Sequence, residues 1–172
     1  MASEGLGRLF DISIGAAPVD LSAAATTGKR VSLKKAGALT IVVFKAAGTA
    51  GDDPTVTLKQ HTASSSGTSS NLAVIDHYYL KNATTLAGTE TWSRVSQAAA
   101  ATIADPGGAG TSAESQQIIA IPVLGTSLSD GYSYVSLDVA DVGTNAQLGC
   151  VLYLLHDLTA GRAPANLAAA LG

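Results

Sequence analysis

The chain is poor in nearly everything that chemistry uses. Its 172 residues include 3 His, 1 Cys, 1 Trp and 1 Met, and only 13% are charged. A single cysteine excludes an intrachain disulfide. Cys150 lies in the apolar run Leu148 to Leu155, where it reads as a small buried hydrophobe rather than a reactive thiol. His61, His77 and His156 are isolated, and neither HxH, HExxH nor CxxC occurs, so the spacings that build zinc sites are missing. Asp52-Asp53-Pro54 reads as turn chemistry. Neither that pair nor Asp138 with Asp141 supplies the alternating oxygen ligands of a calcium loop. There is no GxSxG elbow. Gly107-Gly108-Ala109-Gly110 lacks the GK[ST] ending of a phosphate loop. The expectation is a protein with no metal, no cofactor and no catalytic residue, and so not an enzyme.

Charge of either sign is also scarce. A net charge of −3 argues against a nucleic-acid partner, which needs clustered Lys and Arg to displace counterions. Lys29-Arg30 and Lys34-Lys35 come nearest, and they read as the solvated ends of one short strand. Met1 to Gly15 contains Glu4, Arg8 and Asp11 and lacks the apolar stretch of a signal peptide. No run approaches the ~20 apolar residues of a membrane span. Synthesis in a cytoplasm and no membrane partner are expected. A surface so low in charge is poorly protected against association, which points to a protein covered by partners.

What is present is strand texture. Arg8 to Ile14 alternates Phe10, Ile12 and Ile14 against Leu9, Asp11 and Ser13, the pattern of a half-buried strand. Arg30 to Lys34 places Val31 and Leu33 on one face. Ala38 to Ala46 is almost continuously apolar and β-branched, as in a strand covered on both faces. Thr55 to Thr62 alternates, with Val56 and Leu58 inward and Thr57, Lys59 and His61 outward. Leu72 to Lys81, Glu90 to Ser96, Gln117 to Val123, Tyr132 to Val139 and Gln147 to Leu155 are further strands. Pro122 costs its strand one ladder hydrogen bond, which suits an edge or a bend. Ala98 to Ala101 suggests a helical turn before a Gly-rich loop. Eight or nine strands without a long helix specify an all-β fold, a two-sheet antiparallel sandwich with the jelly roll among its forms. Residues 1–7 read as a flexible N-terminal arm, 8–158 as the sandwich and 159–172 as a C-terminal tail. Leu167 and Leu171 are spaced for a short helix once docked.

Three stretches resemble a family of small virion proteins of tailed phages, particularly those of actinobacteria. They are Gly48 to Ala63 (GTAGDDPTVTLKQHTA), Tyr79 to Ile103 with Trp92 and the alanine run, and Val139 to Leu167 (VADVGTNAQLGCVLYLLHDLTAGRAPANL). The resemblance implies a capsid decoration or minor capsid protein. It would be made in the bacterial host cytoplasm, reside in the virion, bind the major capsid protein and form a homo-oligomer, a trimer suiting threefold sites. Leu6, Arg8, Trp92, Arg162, Pro164, Leu167 and Leu171 are the expected capsid or inter-subunit contacts. Gly161-Arg162-Ala163-Pro164 is looser than the arginine-aromatic-proline pattern of the family. A carbohydrate-binding sandwich of a phage tail or adhesin is the rival reading, with Trp92 and the tyrosines as stacking platforms. A hydrolase is a third, without triad spacing to support it.

Overall fold

The structure, a computed structural model, describes residues 5–22, 24–108, 110–141, 143 and 145–171. Its strands are β1 (Phe10–Asp20), β2 (Val31–Ser32), β3 (Ala36–Lys45), β4 (Val56–His61), β5 (Ser69–Asn71), β6 (Ile75–Ala83), β7 (Ser93–Ala100), β8 (Thr102–Ile103), β9 (Gln116–Leu124), β10 (Tyr134–Val139) and β11 (Leu148–Leu158). Gly125–Ser127 and Pro164–Asn166 form 3-10 turns. Every strand pairing is antiparallel. Two sheets pack face to face as an all-β sandwich, as the sequence indicates.

The strand order is that of a jelly roll. Apart from the inserted β6, β7 and β8, strands pair from the ends of the chain inward: β1 with β11, β2 with β10, β3 with β9, and β4 with β5. This long hairpin is rolled so that β11 also meets β3 and β10 also meets β4. The result is one sheet of order β1-β11-β3-β9, which β6 and β7 extend to six strands, and a second of order β2-β10-β4-β5. Two interlocked Greek keys give this arrangement.

The core lies between the sheets. Leu39, Ile41, Ile119, Ile121 and Val151 of the first sheet and Val56, Leu58, Val135 and Leu137 of the second are fully buried. Each such side chain stabilises the fold by roughly 1.5–3 kcal/mol relative to exposure. Tyr153 crosses the layers. Its hydroxyl donates to the Lys29 carbonyl and accepts from the Leu137 N–H, both at 2.9 Å. β2 pairs with β10 only at Tyr134 and Val135, so the phenol takes the place of a neighbouring strand beyond that point. Burial raises the Tyr153 pKa above the usual tyrosine range and keeps it neutral.

Several expectations are corrected. The apolar set of β1 points outward, because Ile12 and Ile14 pair with Leu154 and Leu152 on the outer side of the sheet. The inner side needs small residues. Gly15 sits at a register shift under Tyr153, and a Cβ there would lie 2.8 Å from the ring. Residues 98–100 are strand rather than helical turn, held against β6. Leu167 lies after a 3-10 turn and no α-helix forms around it. His61 keeps the outward side of β4 but is buried there, between β5 and β10: its Nδ1 is 2.7 Å from Ser69 Oγ and its Nε2 is 2.9 Å from Ser136 Oγ. Pro122 lies in an interior strand, but on the part of β9 beyond Ala120, where pairing with β6 has ended, so its missing N–H costs nothing there.

Candidate functional site

Three rows of directly opposed side chains cross the outer face of the six-stranded sheet. One runs Ile14, Leu152, Val42, Ala120, Tyr79. The next runs Ile12, Leu154, Thr40, Pro122, and the third Cys150, Phe44, Ile118, Lys81. From β1 to β9 these rows contain no charge. Lys81 on β6 and Arg94 on β7 mark where charge begins. Ile12, Ile14, Phe44, Tyr79, Leu124, Leu148 and Leu152, seven of the twelve exposed large hydrophobics among the described residues, stand on this one face. Isolated apolar residues on a surface need no explanation, whereas a contiguous patch marks an interaction site.

β3 and β11 explain the patch. Their near-continuous apolar sequences predict cover on both faces, and the described residues cover only one. Phe44 is 46% exposed and Leu148 63%. Cys150, expected to be buried, is half-buried on the same open face opposite Phe44.

The sheet edges are treated differently from the face. β1 carries Pro18 and two register shifts. β2 has two residues, and its Ser32 N–H donates to the Ala170 carbonyl of the tail. β5 has three residues. Between the pairs His77–Ser96 and Ile75–Ala100, β7 advances four residues while β6 advances two, which bulges its edge. Short strands, proline and bulges discourage strand addition. The outer face carries no such device.

Aromatic and cationic residues border the face. Tyr79 and Trp92 are 38% and 49% exposed. Lys81 Nζ sits 5.2 Å from the Trp92 ring centroid, within cation–π range. The His77 ring meets Tyr79 edge-on at 5.6 Å. His77 Nδ1 lies 2.5 Å from an Asp76 carboxylate oxygen, and that hydrogen bond holds the Asp76 pKa below the usual range.

The one fully buried cation among the described residues is structural. Lys45 Nζ donates to the carbonyls of Ala46, Ser112 and Ser115, fixing the loop before β9. Desolvation lowers its pKa to about 8, against the opposing pull of Asp53 and Glu114. Among the described residues no group of three or more His, Cys, Asp or Glu could hold a metal ion.

Of the seven expected contact residues, Leu6, Arg8, Arg162, Pro164, Leu167 and Leu171 belong to the two terminal segments. These segments meet, the Arg162 N–H donating to the Gly7 carbonyl at 2.7 Å, while Leu6 bridges back to Phe10 within the N-terminal segment. Residues 1–4 of the expected N-terminal arm and residue 172 of the tail lie outside the described residues. The tail closes a cavity of about 370 Å³ over Leu155 and Leu158, with Leu167 half-buried in its wall. Trp92 stands apart, beside β7 at the far edge of the sheet from β1. Sequence reasoning did not single out Ile12, Ile14, Phe44 and Leu152. The available signal was that β3 and β11 are apolar at both parities. No family model matches the chain, and neither a curated protein nor a solved structure does so.

Proposed function

We propose that this protein is a structural subunit of a tailed-phage virion, bound at the capsid surface, where linked copies bridge major capsid subunits and stabilise the head. The observation that carries the reading is the bare outer face of β3 and β11, apolar at both parities and left uncovered by the described residues. Such a surface belongs to a protein that works inside an assembly. The resemblance to small virion proteins supplies the assembly. The jelly roll is compatible with it but also hosts lectins and cupins, so the fold alone carries no function.

Two surfaces divide the work. One joins copies: a patch packed on itself links them in pairs, and a ring of three for threefold sites then needs a second contact. The end where Leu6, Arg8, Arg162 and Pro164 gather contacts the capsid. Linked copies engage several capsid subunits together, so avidity exceeds any single contact. Binding the assembled shell in preference to its separated subunits stabilises it by mass action, about 2.7 kcal/mol per site at a hundredfold excess over Kd.

Phage heads lacking this protein provide the test. Added protein is expected to co-sediment with them to saturation and to raise the temperature at which they release DNA. Protein that stays in the supernatant at micromolar concentration contradicts the reading.

A carbohydrate-binding module is the second reading, favoured by exposed Tyr79 and Trp92 on one face. Lys81 already occupies one side of the indole, which leaves one side for a sugar. Glycan binding abolished by Trp92→Ala would establish it, and a glycan array without hits would remove it.

A further inference from the structure

We infer that the apolar field formed by β1, β11, β3 and β9 is covered by a second copy of this chain. The inference deepens the bridging reading, which needs linked copies, by naming the surface that links them. It is tested without capsids, so either can fail alone.

Area is the first argument. Four strands ~4.8 Å apart, each about nine residues at ~3.3 Å, make a field of roughly 19 Å by 30 Å. Apposing two such fields buries on the order of 1,100 Å², above the roughly 1,000 Å² expected of a specific interface. The field therefore suffices for self-association without help from the β6–β7 border.

Charge is the second. The three central rows contain no charged side chain until Lys81, so two copies can meet there without opposing like charges. At the ends of the field stand His156, opposite Ala38, and Asp20, opposite Leu148, and the Asp20 carboxylate accepts from the Ser22 and Gln147 N–H groups. The polar groups it holds are partly occupied at home: Thr40 Oγ1 lies 3.1 Å from His156 Nε2.

The third is elimination of the alternative geometry. All four sheet edges are shortened, bulged, prolyl or capped by the tail. Copies are thus kept from pairing strand to strand, while nothing of the kind protects the face. Stacked sheets lie ~10 Å apart with interdigitating side chains, and Phe44, Leu152 and Ile14 project far enough to fill such a layer.

The experiment is light scattering coupled to size exclusion on the full chain across the micromolar range, for wild type, Phe44→Lys and Leu152→Lys. Thermal unfolding of each variant confirms its fold. Wild type is expected at two or more times the 17.1 kDa chain mass, and each folded variant at one chain mass. Because the two substitutions lie on different strands, one suffices if the other fails to fold. A wild-type monomer throughout the range overturns the inference, as does an oligomer that a folded variant leaves intact. A monomer that still saturates phage heads would overturn it and leave the capsid reading standing.

Discussion

Ile14 and Leu152 stand directly opposite each other on adjacent strands, and each keeps more than a third of its surface exposed, 38% and 37%. Cross-strand apolar pairs of this kind normally belong to a covered face. Three residues further along β11, Leu155 is 5% exposed on the inner side. In dilute protein, Leu155→Ala is expected to cost about 2–5 kcal/mol, and Leu152→Ala less than about 1 kcal/mol. Urea denaturation midpoints measure both. Equal losses would mean that Leu152 is packed by the chain itself.

The Tyr153 hydroxyl ties the two sheets together through Leu137 and Lys29. Tyr153→Phe leaves a buried N–H and a carbonyl without that partner, so a loss of about 1–3 kcal/mol is expected. The outer face is untouched, so the variant should keep its oligomeric state. Urea denaturation and light scattering on the same sample separate these outcomes.

Much of the fold could be read from period-two patterns. Val135, Leu137 and Val139 face inward as their alternation implies, and nearly every expected strand appears within a few residues of its position. Orientation was harder. The Phe10, Ile12, Ile14 set is the apolar side of β1, yet it faces out, because pairing with Leu154 and Leu152 fixes the register and Tyr153 demands Ser13 and Gly15 beneath it. A lone strand pattern says which side is apolar and not which layer covers it. The candidate site was hidden for the same reason. Apolar residues at both parities of β3 and β11 signal two covered faces, and the described residues cover only one. His61 keeps its expected outward side, but its burial was not legible, because polar neighbours, Ser69 and Ser136, rather than an apolar layer enclose it.

Lys45 sets an alkaline window. Its folded pKa of about 8 lies below the ordinary lysine value of 10.5. Between these values the unfolded chain holds a proton that the folded chain has released, so this group makes stability rise with pH. The buried charge is fully penalised below pH 8, and the penalty is relieved by pH 10.5, a difference of about 3 kcal/mol at 1.36 kcal/mol per unit. Lys45→Met should remove that rise. Stability measured from pH 7 to 10.5 for both proteins tests it, and parallel curves would contradict it.

His61 acts at the acid end. Burial, with Arg30 and Lys59, lowers its pKa despite Asp138. As pH falls below the ordinary 6.5, the unfolded chain takes up a proton before the folded one does, and stability is lost. His61→Gln, which can still hydrogen-bond Ser69 or Ser136, should show a shallower acid decline. An unchanged slope between pH 7 and 4 would place the acid sensitivity elsewhere.

The central claim is that another copy covers the outer face, and Cys150 is a native reporter within it. It is the single cysteine of the chain and lies half-buried opposite Phe44. The decisive measurement is the rate of Cys150 labelling by a maleimide as wild-type concentration rises through the micromolar range, with Leu152→Lys alongside. The rate is expected to fall with concentration for wild type and to stay constant for the variant. A wild-type rate independent of concentration, equal to that of the variant, would contradict the account.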